Sequence, residues 1–319
     1  MKKKVLAVML AATMAFGLVA CGSSSSSSSS EAEETTEEET AEEEEEEAVE
    51  TEAEETEEAE AEEETAEVFE ETEIQVFIAA SLNTVMQEIV SMYNEIQPNV
   101  TITLNADSSG TLLTQIEEGY ECDIFFSAAQ KQMNTLEEDG LIVEGMRADV
   151  LNNQVVVITY AGSETSVTGL DNIGDAESIA LADGSVPVGK YTREALISMG
   201  VLDGSKEASE YTTEEVSEAL GGVEISEQSN VSKVLEAVKE ASCEVGMTYY
   251  SDTYGYEELV EILEVVSYDL TGDVIYPICQ VQNDEADELQ TAAAADFLAY
   301  ILSDEVKDVL DSYYFDTDL

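Results

Sequence analysis

Ile74-Gln75-Val76-Phe77-Ile78-Ala79-Ala80-Ser81-Leu82 is the stretch that decides the fold. Its first seven residues form a near-continuous apolar run, which predicts a strand covered on both faces. Ser81 follows at once, and Leu82, Val85, Met86, Ile89, Tyr93 and Ile96 then recur at helical spacing until Pro98 stops the pattern. A buried strand running straight into an amphipathic helix is one βα unit. Residues 100–104 (VTITL) predict a second strand, which leads through the turn Asp107-Ser108-Ser109-Gly110 into a short helix opened by Thr111. Residues 123–128 (DIFFSA) and 154–160 (QVVVITY) read as a third and a fourth strand.

A second cycle follows. Residues 178–182 (SIALA) predict a strand, Pro187-Val188-Gly189 leads into a helix over 190–199, and Asn230 caps a helix whose apolar stripe is Val231, Val234, Leu235 and Val238. Strand-like runs at 243–249, 260–268 and 276–282 precede a long helix, or a broken pair, over 289–314. Alternating βα units predict an α/β fold with mostly parallel sheets. With no third cycle to join, the last segments are expected to return to the first lobe. Lobe one is then 73–162 with 266–319, lobe two is 163–265, and two segments cross between them.

In such sheets ligands sit beyond the carboxyl ends of the strands, at helix N-termini. Ser81 and Ser109 stand at corresponding places of successive units, each directly before a helix. A hydroxyl beside unpaired N–H groups at a positive helix end is an anion site made of neutral donors.

Composition limits the alternatives. Residues 73–319 carry 48 acidic and 8 basic residues, which argues against nucleic acid as a partner. The chain contains no histidine, which removes Ser-His-Asp and Cys-His catalysis and most transition-metal sites. Cys122, Cys243 and Cys279 each lie in an apolar run and read as small buried hydrophobes. Ahead of the fold, Lys2, Lys3 and Lys4 precede an apolar stretch over 5–19 that ends in Leu18-Val19-Ala20-Cys21-Gly22. This resembles a bacterial lipobox, so residues 1–20 are expected to be a removable signal and Cys21 the lipidated N-terminus. Eight serines (23–30) and a segment (31–72) with 25 glutamates and no basic residue then predict a disordered, self-repelling tether.

Seven motifs in register carry a family resemblance. They are Val76-Phe77-Ile78-Ala79-Ala80-Ser81-Leu82, Ser108-Ser109-Gly110-Thr111-Leu112, Cys122-Asp123-Ile124-Phe125-Phe126-Ser127-Ala128, Gln130-Lys131-Gln132-Met133, Val186-Pro187-Val188-Gly189-Lys190-Tyr191, Glu194-Ala195-Leu196 and Val245-Gly246-Met247-Thr248-Tyr249. Residues 73–319 thereby resemble the molybdate-binding proteins of bacterial ABC importers. The resemblance implies a type II periplasmic-binding-protein fold, two α/β lobes around a ligand cleft. It implies no enzyme activity and no cofactor, with molybdenum held only as the molybdate oxyanion, and tungstate accepted beside it. By position it assigns Ser81 and Ser109 as hydroxyl and amide donors, Val188 and Val231 as backbone N–H donors, and Tyr249 as a phenolic donor. Val188 stands where that family usually has alanine, a change that a main-chain donor tolerates. The implied partners are an ABC permease and ATPase, with the lipid on Cys21 holding a monomer at the outer face of the membrane. Another tetrahedral oxyanion, sulfate or phosphate, is the first alternative. An enzyme built on paired carboxylates and a structural surface lipoprotein are the others. Phosphate carries a proton and wants an acceptor in the cleft; Asp107 is the one Asp in the two serine turns, and its side chain can point toward the cleft or away from it.

Overall fold

The computed structural model describes residues 68–319; the expected export signal, Cys21 and the acidic segment through residue 67 lie outside the described residues. The first pass runs through β1 (Thr72–Ala79), a 3-10 turn at Ala80–Leu82, α1 (Asn83–Ile96), β2 (Val100–Asp107), α2 (Ser109–Glu117), β3 (Ile124–Phe126), α3 (Gln130–Glu138) and β4 (Ile142–Asn153). The second holds β5 (Val155–Tyr160), β6 (Ser178–Ala182), α4 (Pro187–Ser198), α5 (Thr213–Ala219), β7 (Glu224–Gln228), α6 (Val231–Lys239), β8 (Val245–Tyr249) and β9 (Val260–Val265). The chain continues through α7 (Tyr268–Thr271), β10 (Val274–Val281), α8 (Glu288–Ile301) and α9 (Asp304–Ser312).

These strands make two five-stranded sheets, ordered β2-β1-β3-β10-β4 and β7-β6-β8-β5-β9. Strand β1 shows why the first sheet is covered on both faces. Ile74, Val76 and Ile78 join one core with Val85, Met86, Ile89 and Phe297. Phe77, one residue out of phase, joins the other with Leu112, Ile116, Phe125 and Met133. That is the two-residue period of a strand whose faces both meet helices. Cys122, Cys243 and Cys279 are free and buried.

Two expectations need correction. The sheets are mixed rather than mostly parallel. β1 pairs in parallel with β2 and β3, and β6 with β7 and β8, but β10 runs antiparallel to β3 and β4, and β5 antiparallel to β8 and β9. Both reversed strands, β5 and β10, enter their sheet from the other lobe, so no crossover helix fixes their direction. The first lobe also ends earlier than residue 162. β5 pairs with β8 and β9 of the second sheet, which puts the crossing at Asn153 and Gln154. The return comes later than residue 266, because α7 packs on α4 of the second lobe and the first sheet is rejoined only at Val274.

The two crossings are tied to each other. Asn152 Oδ1 accepts the N–H of Val274 (2.8 Å) and of Asn153 (2.9 Å). Gln154 donates through Nε2 to the carbonyl of Val266 at 2.9 Å.

Register then positions the helix ends. Ala79, the last residue of β1, pairs with Asp107, the last of β2. Ala182 of β6 pairs with Gln228 of β7, again the two last residues. The helices that follow therefore start side by side, two in each lobe. Gly189 lets α4 start this close to its strand, since a Cβ there would lie 2.1 Å from the Asp183 carbonyl oxygen and 2.5 Å from that of Ala182.

Candidate functional site

One small cavity lies where the four helix ends meet, with about 10 Å³ of free space. Ser81, Ser109, Val188, Val231 and Tyr249, the five residues singled out from the sequence, all line it. Ala79, Ala80, Ser108, Ala128, Val186 and Pro187 complete the wall, so among the described residues no carboxylate, lysine or arginine faces the space.

Each donor has a local cause. Ser108 is the N-cap of α2 and accepts the N–H of Thr111 at 3.2 Å, which makes Ser109 the first helical residue. Asn230 caps α6 in the same way, accepting from the N–H of Lys233 at 3.1 Å and leaving Val231 first. In α4 the first position is Pro187, which has no N–H, so Val188 offers the first free donor. Ser81 sits in the 3-10 turn that feeds α1. The first N–H groups of a helix have no intrahelical acceptor, and the aligned peptides give that end about half a positive charge.

The hydroxyls are held from behind. Ser109 Oγ accepts the N–H of Ala128 at 2.9 Å, and Ser81 Oγ lies 2.9 Å from the Tyr276 hydroxyl. Tyr249 differs, because its hydroxyl is buried with no hydrogen-bond partner. Burial, then the neighbouring Tyr276, Tyr191 and Asp252, push the Tyr249 phenol well above its ordinary value, so it keeps its proton. Asp252 accepts the Thr248 hydroxyl (2.7 Å) and the Tyr249 N–H (2.9 Å); burial nevertheless pushes its carboxyl up to about 6.

Sequence reasoning missed the groups that close and brace the site. Asp107 does not face the cavity. Its Oδ1 accepts the N–H of Ser108 (2.7 Å) and Nδ2 of Asn230 (3.1 Å), latching the turn before α2 to the cap of α6 across the cleft. Gly110 meets the Ser185 carbonyl so closely that a Cβ would stand 3.0 Å from its oxygen. Lys131 donates to Ser209 Oγ at 2.9 Å, a third link between the lobes. Arg193 is fully buried behind α4 and donates to the carbonyls of Ala182, Gly189 and Tyr211. A wider cleft adjoins the cavity at Ala80 and Ser81, lined by Lys239, Glu236, Asp252, Tyr254 and Tyr313 among others. It is open and carries charges of both signs, unlike the neutral cavity.

A family model described as bacterial extracellular solute-binding protein matches residues 74–316. The putative ABC transporter substrate-binding lipoprotein YvgL of Bacillus subtilis is 28% identical over 247 residues, covering 77% of this chain and 87% of its own length. The molybdate-binding protein ModA of Haemophilus influenzae is 30% identical over 253 residues, 76% of this chain and 89% of that protein. Among solved structures, the substrate binding domain of a putative molybdenum ABC transporter from Clostridium difficile aligns with TM-score 0.55 and 28% identity over 77% of this chain and 99% of its own. The periplasmic molybdate-binding protein of Azotobacter vinelandii aligns with TM-score 0.62 over 76% of this chain and 98% of its own, at 16% identity, a likeness of fold.

The unpartnered phenol generates a prediction that needs no ligand. Tyr249→Phe removes a buried hydroxyl that bonds to nothing, so urea denaturation of the ligand-free chain should show stability unchanged or raised by about 1 kcal/mol. Ser109→Ala instead strands the N–H of Ala128 and should cost about 1–3 kcal/mol. Equal losses in both variants would mean that the Tyr249 hydroxyl is bonded within the fold.

Proposed function

Because the chain belongs to the bacterial extracellular solute-binding protein family, we propose that it captures molybdate, and tungstate beside it, as a monomer and delivers the anion to an ABC permease and ATPase. As a solute-binding protein it is not an enzyme. The observation that carries the ligand reading is the chemistry of the cavity wall: hydroxyls and helix N-termini, with an unpartnered phenol and no carboxylate. A fully deprotonated tetrahedral dianion offers only acceptors, and this wall offers donors to match. Hydrogen phosphate brings a proton and needs an acceptor. Asp107, the carboxylate placed to supply one, is engaged outside the cavity by Ser108 and Asn230. The molybdate-binding relatives support the same choice of ion.

Delivery follows from the lobes. An ion held by two helix ends from each side stabilises the closed cleft, and a closed cleft is a shape that a permease distinguishes from an open one. The relative titled a lipoprotein supports an anchor at Cys21, which keeps the domain near its importer.

Calorimetric titration of the purified chain tests the ligand. Molybdate and tungstate should both bind, and more tightly than phosphate. Ser81→Ala and Ser109→Ala each remove a hydroxyl bond to a charged acceptor, worth about 1.5–3 kcal/mol, or roughly a 10- to 150-fold loss of affinity. Val188→Ala should bind like the parent, since its contribution is main-chain. Tighter binding of sulfate or phosphate, or parental affinity in both serine variants, would overturn the assignment. The anchor is tested separately: Cys21→Ser should release the protein from membranes, and full retention would rule out lipidation at that residue.

A further inference from the structure

We infer that Tyr276, oriented by Asn153, fixes the Ser81 hydroxyl as a donor toward the bound anion and thereby selects oxyanions that carry no proton. The inference rests on the oxyanion reading of the cavity and explains how that site tells one protonation state from another.

The backbone N–H of Gln154 donates to Asn153 Oδ1 at 2.8 Å, which settles which end of that amide is which. Its Nδ2 therefore donates both protons, one to Ser251 Oγ at 2.8 Å and one to the Tyr276 hydroxyl oxygen at 3.1 Å. A phenol has a single proton. On this inference, with Asn153 donating to its oxygen, Tyr276 gives that proton to Ser81 Oγ, 2.9 Å away, a pair in which either hydroxyl has the geometry to donate. Ser81 then accepts from behind, and its own proton is left for the cavity that it lines. Ser109 is set the same way, since the N–H of Ala128 donates to its Oγ at 2.9 Å.

The relay holds one order because Tyr276 and Asn153 are buried, although Ser81 also reaches the edge of the wider cleft. Tyr276 is 0% exposed, Asn153 2% and Ser81 9%. Burial and the nearby Asp252 carboxylate push the Tyr276 phenol well above its ordinary value, so it remains a donor. An anion of bare oxygens meets hydroxyls already aimed at it. A hydrogen oxyanion brings its proton against one of them, and one of the two protons is then buried without an acceptor. Asn153 ends β4 at the crossing between the lobes, so the orientation of a ligand hydroxyl is anchored in the hinge itself.

The test compares the wild-type chain with Tyr276→Phe, titrated calorimetrically with molybdate and, by competition, with phosphate. Phe keeps the ring packing and vacates the place of the hydroxyl; a water taking that place beside Asn153 Nδ2 can accept from Ser81 as readily as donate to it, so Ser81 becomes free to turn its proton away and accept. The molybdate-to-phosphate affinity ratio should fall roughly 5- to 150-fold, the range for one buried unsatisfied hydroxyl. An equal loss for both anions would overturn the inference, because a purely structural tyrosine weakens both alike while leaving the oxyanion reading intact. Wild-type protein that binds neither anion would sink that reading, and this inference with it. If Tyr276→Phe fails to fold, a neutron structure of the wild-type chain crystallised with molybdate reads the protons directly. Deuterium on Ser81 Oγ facing the anion supports the relay; deuterium on Ser81 facing Tyr276 contradicts it.

Discussion

The rest of the structure depends on one constraint: backbone N–H groups at a helix start have no partner within the helix, and something outside it must take them. Strand registers that end together, Ala79 with Asp107 and Ala182 with Gln228, place two such starts side by side in each lobe. Closing the lobes brings all four to one small cavity. Left empty and dry, that arrangement is unfavourable, since each buried unsatisfied polar group costs free energy. Filled by an ion with acceptors on every side, it becomes the reason for the lobes to stay together. The Asp107–Asn230 bond across the cleft adds to closure without touching the cavity.

Under the proposed function, the same arrangement explains how an acidic domain would hold an anion. Residues 73–319 carry 48 acidic and 8 basic side chains, yet among the described residues no carboxylate lines the cavity. Surface carboxylates act through water and salt, while helix dipoles and hydroxyls act at contact distance in a dry space. The overall charge therefore slows the approach of an anion more than it weakens its hold. Arg193 is the exception in sign. Burial lowers its pKa, with Asp183 and Glu227 opposing that, and it is wired to three backbone carbonyls behind α4 rather than to the cavity.

The residues readable from sequence were those whose role is local. Ser81 and Ser109 each stand between a strand and a helix, and that order is visible in nine consecutive residues. Val188, Val231 and Tyr249 came from the family resemblance, because a main-chain donor leaves no mark in residue type. What was not legible is set by pairing between distant segments. The directions of β5 and β10 depend on which sheet the chain enters, and hydrophobic pattern says only that they are buried. For the same reason the lobe boundary was drawn at residue 162 instead of at Asn153. Tyr276 read as one more apolar residue of a strand; its partners, Ser81 and Asn153, lie 195 and 123 residues away. Asp107 was visible as a carboxylate in a serine turn, but its partner Asn230 in the other lobe was not.

The most direct measurement of the central claim, a dianion held by neutral donors alone, is the salt dependence of molybdate binding to the purified chain at fixed pH. Fixed dipoles inside an acidic domain predict an affinity that is flat or rises slightly with ionic strength, with the association rate increasing as surface repulsion is screened. A steep loss of affinity with added salt would contradict it, because that is the behaviour of an anion held by lysine or arginine.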